Sequence, residues 1–152
     1  MENRWVIIQD TAWEGYQDIP VWIMQGYTTM ALEALEHLGE QGVERPTHVF
    51  LQAGVGSFAA AVQGLFASVY GEKRPVTTIV ESDKADCMLK SIMAGDGKPR
   101  AVTGEMNTFM AGLASGEPNL IAWDILRDYS DMFIACPDDV RQRHADAGKS
   151  AR

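Results

Sequence analysis

The chain has 152 residues, a formal net charge of −8, 46% hydrophobic and 22% charged residues. That balance describes one globular domain large enough to bury roughly two-thirds of its unfolded surface. Its scattered Lys and Arg residues argue against a nucleic-acid surface, which needs clustered positive charge, and no apolar run approaches the roughly 20 residues that would span a bilayer.

The start, Met1-Glu2-Asn3-Arg4, lacks the apolar stretch of a secretory signal. Cys87 and Cys136 are far apart, each with apolar neighbours, and read as buried reduced thiols. Together these features predict a reducing, cytoplasmic setting. The three histidines and two cysteines show no metal-ligand spacing, so no metal site is expected.

Trp5-Val6-Ile7-Ile8 is a short β-branched apolar run and predicts a first strand ending at Gln9-Asp10. A loop with Gly15 and several aromatics follows, and Pro20 suits the first turn of a helix. Ile23, Tyr27, Met30, Ala34 and Leu38 recur at helical spacing, with Glu33, Glu36 and Glu40 on the wet side and Gly42 as the stop. Thr47–Leu51 predicts the second strand, and Phe58–Tyr70 an alanine-rich helix stopped by Gly71.

Val76–Val80 reads as a third strand. Asp83–Ala94 reads as a third helix, with Ser82 as its cap. After a polar, glycine-rich stretch from Gly95 to Gly104, Thr108–Ala114 predicts a short helix. Asn119 is placed to cap another, reaching Tyr129. Met132–Cys136 predicts a fourth strand and Pro137–His144 a last helix. Alternating strands and helices imply an α/β fold of three layers, a mostly parallel sheet with helices on both faces. The predicted domain spans residues 1–147, with 148–152 as a small polar tail.

Ligands of such folds gather at the carboxyl ends of the strands. There, Gly54-Val55-Gly56-Ser57 runs from a strand into a helix. The glycines let a ligand approach the backbone, the first helical N–H groups lack internal partners, and the helix dipole favours an anion. Ser57 offers a hydroxyl donor. No Gly-Lys-Ser/Thr follows, and Ala59 stands where a third glycine of GxGxxG would be, so this is neither nucleotide loop. A phosphate cup and a plain tight turn both fit the spacing.

Asp10 directly follows an apolar strand, where partial desolvation suits an acid or base; a loop cap is the alternative. Thr11, Trp13 and Tyr16 either line a substrate pocket or pack on the surface. Glu81 reads as a crevice residue or as a capping carboxylate.

Several stretches taken together resemble one family. They are Gln9-Asp10-Thr11-Ala12-Trp13-Glu14-Gly15-Tyr16, Trp22-Ile23-Met24-Gln25-Gly26-Tyr27, Pro46 to Gly56, Asp83-Lys84-Ala85-Asp86-Cys87, and Met110 to Asn119. The set resembles diaminopropionate ammonia-lyase, a pyridoxal-phosphate enzyme of the tryptophan-synthase-β fold group, from about Trp5 to about Val140.

The resemblance implies elimination of ammonia from 2,3-diaminopropionate, an amino-acid substrate, to give pyruvate and ammonia. It implies that Gly54, Val55, Gly56 and Ser57 hold the cofactor phosphate. It places Asp10 close to the substrate, for proton handling or recognition of an amine. It also places the Schiff-base lysine upstream of the Asp-Thr-Ala-Trp segment, a role that Lys73, Lys84, Lys90, Lys98 and Lys149 do not occupy. The expectation is therefore a partial cofactor-binding domain, inactive alone, holding pyridoxal phosphate weakly if at all, and self-associating as a homodimer or other oligomer through uncovered apolar surface. The alternative is a stand-alone anion-binding or interaction domain derived from that fold.

Overall fold

The computed structural model describes residues 5–140. Helix α1 (Asp18–Glu40) leads into strand β1 (His48–Gln52), helix α2 (Ser57–Tyr70) with a 3-10 turn behind it, and strand β2 (Val76–Ser82). Helix α3 (Cys87–Ala94), a 3-10 turn (Ala111–Leu113), helix α4 (Leu120–Tyr129) and strand β3 (Met132–Cys136) complete the order.

The strands form one all-parallel sheet, β1-β2-β3, with Leu51 beside Ile79 and Ile79 beside Phe133. This is the expected α/β architecture. Side chains alternate across a strand, so Leu51, Ile79 and Phe133 share the face that joins the core with α2 and α4. The opposite face, at Phe50 and Met132, is exposed.

Helix α2 is the pivot. It packs between α1 and α4 and sits behind β1. Ala59, Ala60, Ala61, Val62, Gln63 and Phe66 are all buried, so several sides of this helix are covered. Its alanines explain how neighbours approach that closely: small side chains leave room for larger ones such as Phe66, Met88, Trp123 and Leu126 to interdigitate.

Four expectations are corrected. Trp5–Ile8 forms no strand. Its side chains are strongly exposed, and the sheet has no neighbour beyond β1 or β3 among the described residues. An apolar run becomes a strand only where a partner edge and a covering layer exist. Helix α3 begins at Cys87 rather than Asp83, because residues 83–86 form a turn closed by Ala85 N–H donating to the Ser82 carbonyl at 3.0 Å.

Ser82 does not cap that helix; its hydroxyl accepts from Lys84 N–H at 3.2 Å. The expected helix Thr108–Ala114 is reduced to a single 3-10 turn. There the Thr108 hydroxyl takes the Met110 N–H, competing with helical bonding. The helix expected from Pro137 to His144 lies mostly outside the described residues, as does the tail 148–152; Pro137 and the residues after it begin with a turn.

No helix among the described residues is long and apolar enough to cross a membrane. Cys87 and Cys136 are both free thiols.

Candidate functional site

A cleft of about 270 Å³ opens where β1 passes into α2. Its floor is the run Gln52 to Phe58, its walls are Asp10 and Tyr27 on one side and Gly112, Leu113 and Ser115 on the other. Local sequence builds the floor. Leu51 and Ala53 are buried and anchor the end of β1, with Ala53 N–H donating to the Val80 carbonyl at 2.9 Å. The chain then turns at Gly56, whose φ of 92° suits a residue without Cβ.

The first bond of α2 runs from Ala60 N–H to the Gly56 carbonyl at 2.8 Å. The N–H groups of Ser57, Phe58 and Ala59 therefore precede it, and no side chain caps this terminus. Unpaired donors at the positive end of a helix dipole, opening into a cleft, are the arrangement that favours an anion. Gly54 matters for a different reason. A Cβ there would stand 3.3 Å from the Gly112 carbonyl oxygen and 3.3 Å from Leu113 Cα, so the missing side chain lets the opposite wall close against the loop.

Asp10 reaches the cleft from the segment before α1. Its backbone carbonyl accepts from Ser57 Oγ at 2.7 Å and from Asn119 Nδ2 at 2.6 Å. Its carboxylate accepts from the Tyr27 hydroxyl at 3.2 Å. Burial, the Asp10 charge and that hydrogen bond push the Tyr27 phenol above its usual value of 10.0, so it stays protonated as a donor.

The structure thus brings Asp10 together with Gly54, Val55, Gly56 and Ser57. It gives the Ser57 hydroxyl a different job from the one its position suggests, since that hydroxyl donates to the Asp10 carbonyl. Thr11, Trp13 and Tyr16 are not among the lining residues. Trp13 and Tyr16 stack on each other at 4.3 Å, and the Tyr16 hydroxyl donates to the Ile7 carbonyl at 2.8 Å. Sequence reasoning missed Tyr27, Gly112, Leu113 and Ser115 as lining residues. Tyr27 fell on a helical apolar stripe and so looked like core.

Beneath the loop lies a second buried pair. Glu81 is fully buried at the end of β2, and its two carboxylate oxygens accept from Met88 N–H and Leu89 N–H, each at 2.8 Å. It is thus the capping carboxylate that its position allowed, supplying the cap that Ser82 does not. Burial pushes its pKa up to about 7, against the opposing pull of those N–H groups. Burial and the neighbouring Glu81 push the Cys87 thiol up to about 12, so it is a protonated donor toward the Gly54 carbonyl at 3.6 Å. Among the described residues no group of three or more His, Cys, Asp or Glu is placed to hold a metal.

The family model "pyridoxal-phosphate dependent enzyme" matches residues 2–141. The chain belongs to the pyridoxal-phosphate dependent enzyme family. It is 53% identical over 134 residues to a diaminopropionate ammonia-lyase of Salmonella typhimurium, covering 88% of this chain and 33% of that protein.

Crystal structures of the Escherichia coli diaminopropionate ammonia-lyase are similar as well. The selenomethionine holo form matches with a TM-score of 0.80 at 52% identity, over 90% of this chain and 33% of that one. The complex with an aminoacrylate–PLP azomethine reaction intermediate matches with a TM-score of 0.79 at 51% identity, with the same coverage. This pyridoxal-phosphate dependent enzyme chain spans about a third of the length of the relatives it matches.

Proposed function

We propose that this chain supplies the phosphate-binding part of a diaminopropionate ammonia-lyase, and that it eliminates nothing by itself. The observation that carries the reading is the α2 terminus: unpaired N–H groups with no side-chain cap, opening into a cleft beside a carboxylate. The family match supports pyridoxal phosphate as the anion's source.

In this reading the N–H groups of Ser57, Phe58 and Ala59 bind the phosphate, and Gly54 and Gly56 keep the backbone close enough to do so. The cofactor, when bound, supplies an electron sink for carbanion chemistry at the substrate's Cα. Asp10 faces the same cleft. Its carboxylate, held by the Tyr27 hydroxyl, takes or delivers a proton or holds a substrate amine. Among the described residues no lysine lines the cleft, so in this reading the covalent anchor is supplied by another residue. Self-association through the open sheet face at Phe50 and Met132 is part of the same proposal.

The decisive experiment combines binding and turnover. The 152-residue chain is titrated with pyridoxal phosphate and with nucleotide and sugar phosphates in a thermal-shift assay, then given 2,3-diaminopropionate and assayed for pyruvate. Stabilisation by pyridoxal phosphate with no pyruvate is the expected result. Pyruvate release by this chain alone would refute the claim of inactivity. Stabilisation by a nucleotide or sugar phosphate but not by pyridoxal phosphate would favour a stand-alone anion-binding domain.

A further inference from the structure

Asn119 is completely buried, and its side-chain amide is fully engaged. Its Oδ1 accepts from Ile121 N–H at 2.9 Å and from Ala122 N–H at 3.2 Å, which makes it the N-cap of α4. Its Nδ2 donates to the Asp10 carbonyl at 2.6 Å and to Ser57 Oγ at 2.8 Å. Ser57 Oγ then donates to the same Asp10 carbonyl, closing a three-membered ring of hydrogen bonds. Asn119 also ties down the glycine loop through its own N–H, which donates to the Val55 carbonyl at 2.8 Å.

A cap alone does not require this residue. Serine or aspartate would satisfy the same helical N–H groups about as well. The amide NH2 is the part a cap leaves unused, and here both of its protons cross to segments 62 and 109 residues away. Asp10 needs such a tie, because the stretch from Trp5 to Gln17 contains no helix and no strand of the sheet.

We propose that Asn119 is a positioning residue that clasps the Asp10 segment to the glycine loop, so that the Asp10 carboxylate and the free N–H groups of α2 face one cleft. The role of that cleft rests on the reading given under Proposed function; the clasp itself does not.

Asn119→Ser separates the two jobs, since it keeps a neutral cap and removes the amide donors. Hydrogen exchange of the full chain is measured by peptide, with pyridoxal phosphate binding titrated in parallel. The expected result is exchange at least tenfold faster in the Gln9–Trp13 segment, unchanged protection within α4, and pyridoxal phosphate binding weakened about tenfold. Ser57→Ala leaves the cap intact and removes the other leg of the ring. It should accelerate exchange in the same segment, and it decides the question if Asn119→Ser does not fold.

Unchanged exchange at Gln9–Trp13 in the folded variants would overturn the clasp. If the wild-type chain binds no pyridoxal phosphate, the cup reading fails while the exchange result still decides the clasp.

Discussion

The Tyr27 hydroxyl donates to the Asp10 carboxylate at 3.2 Å, linking a residue of α1 to one that lies in no regular element. The Tyr27 ring also meets Phe58 edge-on at 5.8 Å, so one side chain braces both the carboxylate and the first turn of α2. Burial is the first reason the phenol ionises above its usual range, and the Asp10 charge is the second.

Asp10→Asn removes that charge while leaving the ring in place. The tyrosinate absorbance titration should then show one of the four tyrosines moving down toward 10.0 without reaching it, because burial remains. Tyr27→Phe should delete that component and so assign it. A titration unchanged in Asp10→Asn would break the link between the two residues.

Gly56 is the position where substitution is expected to cost most for its size. Its φ of 92° disfavours any residue with a Cβ, at roughly 1–2 kcal/mol. An added Cβ would also run into Met88 Cε and stand 3.2 Å from Leu126 Cδ1. Met88 is flexible at that end and can yield; Leu126 and the backbone angle remain. Gly56→Ala should therefore lose about 2 kcal/mol in urea unfolding. Adding Met88→Ala should not restore it, since the strain is in the backbone. Full rescue by the double variant would show that side-chain crowding alone was responsible.

The sheet and its long helices were legible because their signals are local. Alternation and β-branched residues marked β1, β2 and β3, and the stops at Gly42 and Gly71 fell where expected. The Trp5–Ile8 run misled, since an apolar stretch reads the same whether or not a partner edge covers it. The spacing of the glycine loop marked a tight strand-to-helix turn and left a phosphate cup and a plain turn both open, and it did not show the use of Ser57. That use depends on Asp10 and Asn119, which are 47 and 62 residues away. Asn119 was readable as a cap, a contact two or three residues long, while its donor arm was not. Glu81 shows the same limit: its position allowed a cap, but the N–H groups it serves lie seven and eight residues on.

Gln63 is fully buried in α2. Its Nε2 donates to the Tyr129 carbonyl, and its Oε1 has no partner among the described residues. A buried unpaired carbonyl costs about 1–3 kcal/mol. The Tyr129 carbonyl has a second donor in Arg74 Nε at 2.9 Å, so it is not orphaned when Gln63 is replaced. Gln63→Met, close in volume, should leave the unfolding midpoint unchanged or raise it. Gln63→Ala should lower the unfolding free energy by about 2 kcal/mol, and the midpoint with it, through the cavity left behind. A Met variant as damaged as the Ala variant would mean the amide contributes more than its unpaired oxygen costs.

Glu81 sets the expected pH dependence. Burial raises its pKa from 4.5 to about 7 in the folded chain, so between those values the folded state holds a proton that the unfolded state has released. Its contribution to stability is fully present below about 4.5 and is lost as pH rises through about 7. Glu81→Gln cannot lose that proton, although it gives up one of the two acceptors that hold Met88 and Leu89 N–H.

The variant should be less stable at pH 5, where the lost acceptor is the main difference; that cost is the same at every pH. The gap should then close by on the order of 2 kcal/mol toward pH 8 as the wild-type carboxylate ionises in its buried site. Urea midpoints at pH 5, 6, 7 and 8 for the two proteins test this directly. Parallel midpoint curves with a constant gap would show that Glu81 is already ionised in the folded chain at pH 5.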